Sequence, residues 1–197
     1  MALVALLLAA AFPLAEGTRW VYRGTTRGDY HDAKVVRQVT TTMRVLSHRN
    51  LERYEVAVID GEPSTIGCDR VPEPRKIFTA IIRDGARYYE VATPNPSPFE
   101  NEAAVKKELE DASPFLETPL AGRKTVGCEQ ADNPPMYCWS VEALPKRGAY
   151  RLVYRSNPTL ETMEFEEGVG ITRWQSVHHG SPCEIDLRLV SFKPPSP

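Results

Sequence analysis

No apolar run in the sequence approaches the ~20 residues that a membrane-crossing helix requires, so no such span is expected. There is no surplus of positive charge either: 24 Lys and Arg stand against 26 Asp and Glu, a formal net charge of −2. Nucleic-acid binding calls for a basic stripe, so a nucleic-acid partner is not expected. The groups Arg19, Arg23, Arg27 and Arg37, Arg44, Arg49, Arg53 are interleaved with acids or spread along strand-like segments, and read as solvated faces. The sequence has no CxxC pair, HExxH, P-loop, dinucleotide fingerprint or nucleophile elbow. That removes the commonest zinc, phosphate, nicotinamide and serine-hydrolase chemistries, and no metal or cofactor is called for.

What is present fits one globular β domain. A chain of 197 residues, 42% hydrophobic and 25% charged, is long enough for one well-buried core. Its 17 prolines cluster between strand-like segments, where they shape connections. The opening MALVALLLAAA is too short to span a membrane and reads as the apolar region of a secretory signal. Ala9 and Ala11 supply the small residues for a cut ahead of Phe12, and no lipid-anchor cysteine follows. The expected organisation is a signal-like segment over 1–11, a single β-rich domain over 12–193, and a tail over 194–197.

The cysteines point to the same destination. Cys68, Cys128, Cys138 and Cys183 form an even set with three possible pairings. RKTVGCEQADNPPMYCWSVEAL reads as two strands around a polar loop; if Cys128 lies opposite Cys138, their separation suits a disulfide. Cys68 then remains for Cys183. Two disulfides imply an oxidising compartment, periplasmic or secreted.

Period-two alternation dominates the rest, in TRWVYRG, VVRQVTTTMRVL, ERYEVAVID, YCWSVEAL, AYRLVYRS, LETMEFEE, GITRWQSVH and CEIDLRLVSF. KIFTAIIRDGARYYEVA reads as a hairpin turning at Asp84-Gly85. Only PFENEAAVKKELEDA reads as a helix, with Val105, Leu109 and Ala112 on a narrow stripe that suits a rim. The long connections GEPSTIGCDRVPEPR and TPNPSPFE suit disulfide-anchored or ligand-covering loops. FPLAEGTRWVY and TPLAGRKTVGC echo one another, as two halves opening with the same turn would, though one short match does not argue for two domains. The expected fold is mainly β: a strongly curved antiparallel sheet or partly open β-barrel with one short α-helix.

FPLAEGTRWVYRG at the start and EFEEGVGITRWQSVHHGS near the end together resemble a group of exported bacterial β-rich proteins. Those share a P-L-x-x-G-x-x-W-x-Y start and a late G-V-G before a strand. More distantly the chain resembles the half-barrels of periplasmic lipoprotein carriers. The resemblance implies a cell-envelope β protein and carries over no catalytic residues.

Candidate chemistry is sparse. In GITRWQSVHHGSPCEIDLRLVSF, strand geometry sends neighbours to opposite faces. His178 then sides with Trp174 and Ser176, and His179 with Gln175 and Val177. With Gly180 and Pro182 following, the segment reads as the hairpin between the last two strands. GDYHD places Asp29, His31 and Asp32 at a spacing that suits a cation, and equally a polar loop. The pairs Asp60–Glu62 and Glu166–Glu167 are adjacent in sequence, which says nothing of a cleft. No enzyme is expected.

The strand aromatics offer more. Trp20, Tyr22, Tyr54, Tyr88, Trp139 and Trp174 are the candidate ligand-binding residues, on a concave face that holds a lipid or another apolar small molecule. The leading expectation is an exported, non-enzymatic module binding a hydrophobic or amphipathic ligand. The alternatives are an interaction domain that recruits an envelope protein, and a metal-dependent hydrolase built on His31, His178 or His179.

Overall fold

In this computed structural model, residues 12–30, 33–66, 68, 77–97, 99–128, 133, 136–180 and 183–195 are described. The signal-like segment 1–11, the end of the tail, and His31 and Asp32 lie outside them. Nearly every alternating segment is a strand. In the first half these are β1 (Arg19–Tyr30), β2 (Ala33–Asn50), β3 (Tyr54–Asp60), β4 (Phe78–Asp84), β5 (Arg87–Thr93) and β6 (Leu116–Glu117). The second half contributes β7 (Thr125–Val126), β8 (Trp139–Ala143), β9 (Ala149–Arg155), β10 (Thr159–Glu166), β11 (Gly170–His178) and β12 (Cys183–Lys193). Gly28, Asp29 and Tyr30, read from sequence as part of a loop, continue β1, with Tyr30 opposite Ala33.

The strands form one antiparallel sheet in which each pairs with its chain neighbour, and β1 also pairs with β12. The result is a 12-stranded meander nearly closed into a barrel, with one unsealed seam between β6 and β7. The β1–β12 joint runs from Arg19 opposite Lys193 to Gly28 opposite Cys183. It depends on Gly24, where a Cβ would stand 1.8 Å from the Asp186 carbonyl oxygen. At the seam, β6 and β7 are two residues each, and the turn between them folds Leu120 into the core. The echoed Pro-Leu-Ala segments precede β1 and β7: Leu14 and Leu120 are both buried in one cluster, each followed by a glycine with positive φ. The sealed β1–β12 joint thus corresponds in order to the open β7–β6 seam.

Two apolar clusters separate the faces. The inner one joins Trp20, Tyr22, Met43, Ile59, Ile81, Tyr88, Leu152, Phe165, Trp174 and Leu187 across the barrel. The outer one lies beneath α1 (Glu102–Leu109), where Tyr54, Val56, Ala80, Ile82 and Tyr89 meet Val105. Eight residues are too few for a helix to persist alone, so packing holds it. Asn101 caps it by accepting from the Ala104 N–H at 3.0 Å. The stripe of Val105, Leu109 and Ala112 is the packed face, but it covers the outside of β3–β5 rather than a rim.

Both disulfides form, Cys68–Cys183 and Cys128–Cys138, with Cα separations of 5.7 and 5.8 Å. Such bonds belong to an oxidising environment. No described helix is long and apolar enough to cross a membrane. The outer face of β8–β12 carries a ladder of charges: Arg151 bridges Glu142 and Glu164, and Arg173 bridges Glu164 and Asp186. Arg27 pairs with Glu184, Arg44 with Asp60 and Arg53 with Asp84. These basic residues are spent on paired, solvated faces, as alternation with acids implies.

Candidate functional site

The two histidines sit where the hairpin reading places them. His178 ends β11 opposite Cys183, and the His179 N–H donates to the Pro158 carbonyl at 3.0 Å in the turn that follows. Among the described residues, no group of three or more His, Cys, Asp or Glu is arranged to hold a metal ion.

The six aromatics divide by environment. Trp20 is fully buried, stands between Phe12 and Phe192, and donates its Nε1–H to the Val169 carbonyl at 2.6 Å. The Tyr22 hydroxyl, also buried, donates to the Ile171 carbonyl at 2.9 Å. Burial, and then the charge of Glu62, hold the Tyr22 phenol well above its ordinary range. Tyr88 is enclosed in the inner core. Tyr54 belongs to the outer cluster, with the Arg53 guanidinium over its ring, so it never meets the interior. Trp139 and Trp174 alone border an interior hollow.

That hollow has a volume of about 320 Å³. Both halves of the meander build it: Glu62 and Ser64 come from the exit of β3 and Glu90 from β5, while Glu161 and Met163 come from β10 and Ile171 and Trp174 from β11. Phe115, just before β6, and Trp139, paired with Val126 of β7, bring the wall up to the seam from both sides. A bulge at β10–β11 pairs Phe165 with Ile171 and Glu164 with Arg173. It turns Ile171 and Trp174, three residues apart, onto one face. Trp139 packs on Trp174 with centroids 6.4 Å apart and on Tyr154 at 5.2 Å, forming an angled aromatic wall.

Acids complete the lining. Gly61 makes the approach possible: its φ is +77°, and a Cβ there would lie 2.2 Å from the Thr42 carbonyl oxygen. The chain thus leaves β3 sharply and turns Glu62 inward, ahead of a tight turn over Pro63–Thr65. Glu62 is 4% exposed. Its carboxylate accepts from the Ser64 hydroxyl, and from the Thr79 hydroxyl at 3.2 Å. Ser64 Oγ also lies 3.4 Å from Glu90 Oε1. Burial raises the Glu62 carboxyl above its ordinary value against the pull of these hydrogen bonds. Glu90 is raised further, first by its enclosure and then by the Glu62 charge with which it shares a hydrogen bond. Glu90 is nonetheless exposed to solvent, so the hollow opens to water beside it. Burial, then Glu62, raise Glu161 as well.

Glu90, Glu161 and Ser64 were not among the candidates read from sequence, and Glu62 entered only in the Asp60–Glu62 pair that was set aside, although the strand period contains a signal for two of the glutamates. Glu90 shares the face of Tyr88, and Glu161 that of Met163 and Phe165: an acid on an apolar face. Glu62 and Ser64 fall in the Pro-rich connection whose length suited a ligand-covering loop, and Cys68 anchors the same connection. The hollow thus combines an aromatic and aliphatic lining with three carboxyls and a hydroxyl. No family model, curated protein or solved structure matches the chain.

Proposed function

We propose that this chain is an exported binding module that holds a small amphipathic molecule inside its incomplete barrel. One observation carries the reading: a hollow of about 320 Å³ lined by Phe115, Trp139, Ile171 and Trp174 together with Glu62, Ser64, Glu90 and Glu161. Ligand sites are concave, mostly apolar and furnished with a few converging polar groups, and their volumes begin near ~300 Å³. At that size the occupant is one compact molecule rather than a diacyl lipid. The two disulfides support an address in the periplasm or outside the cell, as does the resemblance to envelope proteins.

An interaction domain would favour a large contiguous apolar patch. Among the described residues, the exposed large apolar side chains fall instead on separate segments, at Val36, Ile77, Met136–Tyr137 and Val190, which favours the interior site.

The test is a titration of the oxidised protein with N-phenylnaphthylamine, an uncharged probe that brightens in apolar surroundings. Saturable brightening is expected, with at least about a tenfold loss of affinity in Ser64→Phe, whose ring occupies the hollow. No brightening, or equal brightening in both proteins, contradicts the reading.

A further inference from the structure

The polar wall of the hollow is made of acids and a hydroxyl, and among its described lining residues there is no Lys, Arg or His. The ionisable side chains of that described lining are therefore all carboxyls. Neither Glu90 nor Glu161 has a cationic partner among the described residues; the neighbours that act on them are burial, Ser64 and other acids. Among the described residues, Thr79 from β4 and Tyr22 from β1 border Glu62 and Tyr154 from β9 borders Glu161, and all are uncharged at neutral pH. Glu161 is half-buried and Glu90 reaches solvent at the mouth of the hollow, so two carboxylates are available to a ligand that enters it.

The aromatic lining complements these carboxyls. The angled faces of Trp139 and Trp174 attract a cation through the ring quadrupole while covering an apolar body. An independent feature also awaits a partner. Trp174 is 5% exposed and borders the hollow, and its Nε1–H is buried with no acceptor among the described residues. Buried donors are seldom left so, because the loss is about 1–3 kcal/mol.

We infer that the hollow selects an organic cation, with an ammonium head between Glu161 and the Glu62–Glu90 pair, an apolar body against Trp139 and Trp174, and an acceptor atom for the Trp174 Nε1–H. This rests on the binding reading above and adds the chemical class of the occupant. A bare metal ion fits poorly: no described group is arranged to hold one, and half of the wall offers it nothing. A carboxylate or phosphate head would meet like charge.

Isothermal titration with two probes that differ only in the head group tests the inference. Phenoxypropylamine and phenoxypropanol share a ring and an ether oxygen, and only the first is charged at neutral pH. The amine is expected to bind at least about tenfold more tightly, equivalent to ~1.4 kcal/mol. In Glu161→Gln that preference falls to within about threefold, while the affinity of the alcohol is unchanged. Equal affinities in the unmodified protein overturn the cation assignment and leave amphipathic binding standing. So does a preference that survives in both Glu161→Gln and Glu90→Gln. If neither probe binds, the binding reading itself fails, and the inference with it.

Discussion

Replacing Cys68 and Cys183 together by alanine lowers the melting temperature of the oxidised protein by about 10–20 °C. The two cysteines are 115 residues apart in sequence. In the chain-entropy account, closing a loop of about 100 residues restricts the unfolded state by ~4.7 kcal/mol. For a chain of this size each kcal/mol moves the midpoint by about 2–4 °C. Cys128 and Cys138 are only 10 residues apart, and their removal costs less, about 3 kcal/mol. The long bridge also holds the connection that carries Glu62 and Ser64 against the start of β12. Its loss therefore weakens N-phenylnaphthylamine binding even below the melting transition. Thermal unfolding of the two double variants, followed by circular dichroism, checks the order. A larger loss from the short bridge contradicts it.

Glu90→Gln changes how stability depends on pH. In the folded protein the Glu90 carboxyl is held well above its ordinary value of 4.5, by burial and then by Glu62. Below about that pH both folded and unfolded chains carry the proton, and the group exerts no effect. As pH rises the unfolded chain releases the proton while the folded one retains it, so folding stability declines until the raised folded value is passed. One retained proton sets an upper limit of ~1.4 kcal/mol per pH unit. Because water reaches Glu90, roughly half of that is expected. Glutamine removes the ionisation and keeps a donor for the Glu62 carboxylate. The variant should therefore melt higher than the unmodified protein once pH rises above about 4.5, with the difference growing until the raised folded value is passed and vanishing below about 4.5. Asp186 acts in the opposite sense, since the Arg173 hydrogen bond lowers its carboxyl, so the comparison must be between the two proteins at each pH. Parallel curves would mean that Glu90 is not enclosed with Glu62.

Much of the architecture was legible because strands and hairpins announce themselves locally. Asp84-Gly85 begins its turn as its chemistry implies, and the Val105 stripe is the packed face of α1. The cysteine pairing followed from the hairpin that sets Val126 opposite Trp139, just inside Cys128 and Cys138. The site was less legible, because it depends on which face of each strand is enclosed. Trp20, Tyr22 and Tyr54 look like Trp139 and Trp174 in sequence, yet two are locked by hydrogen bonds to β11 and its leading turn, and one faces α1. Alternation alone would also put Ile171 and Trp174 on opposite faces; the bulge reunites them. Glu90 and Glu161 resemble ordinary wet-face acids until Tyr88 and Met163, on the same faces, prove to be buried.

The most direct measurement is the indole region of a proton–nitrogen correlation spectrum during titration with phenoxypropylamine. The chain has three tryptophans, so three indole N–H signals report on known places. The signals of Trp139 and Trp174 are expected to move together and saturate, with that of Trp174 moving farthest as its N–H gains an acceptor. That of Trp20, already bonded to the Val169 carbonyl, is expected to stay in place. If no indole signal moves, or if only Trp20 responds, the hollow is not the binding site and the account is wrong.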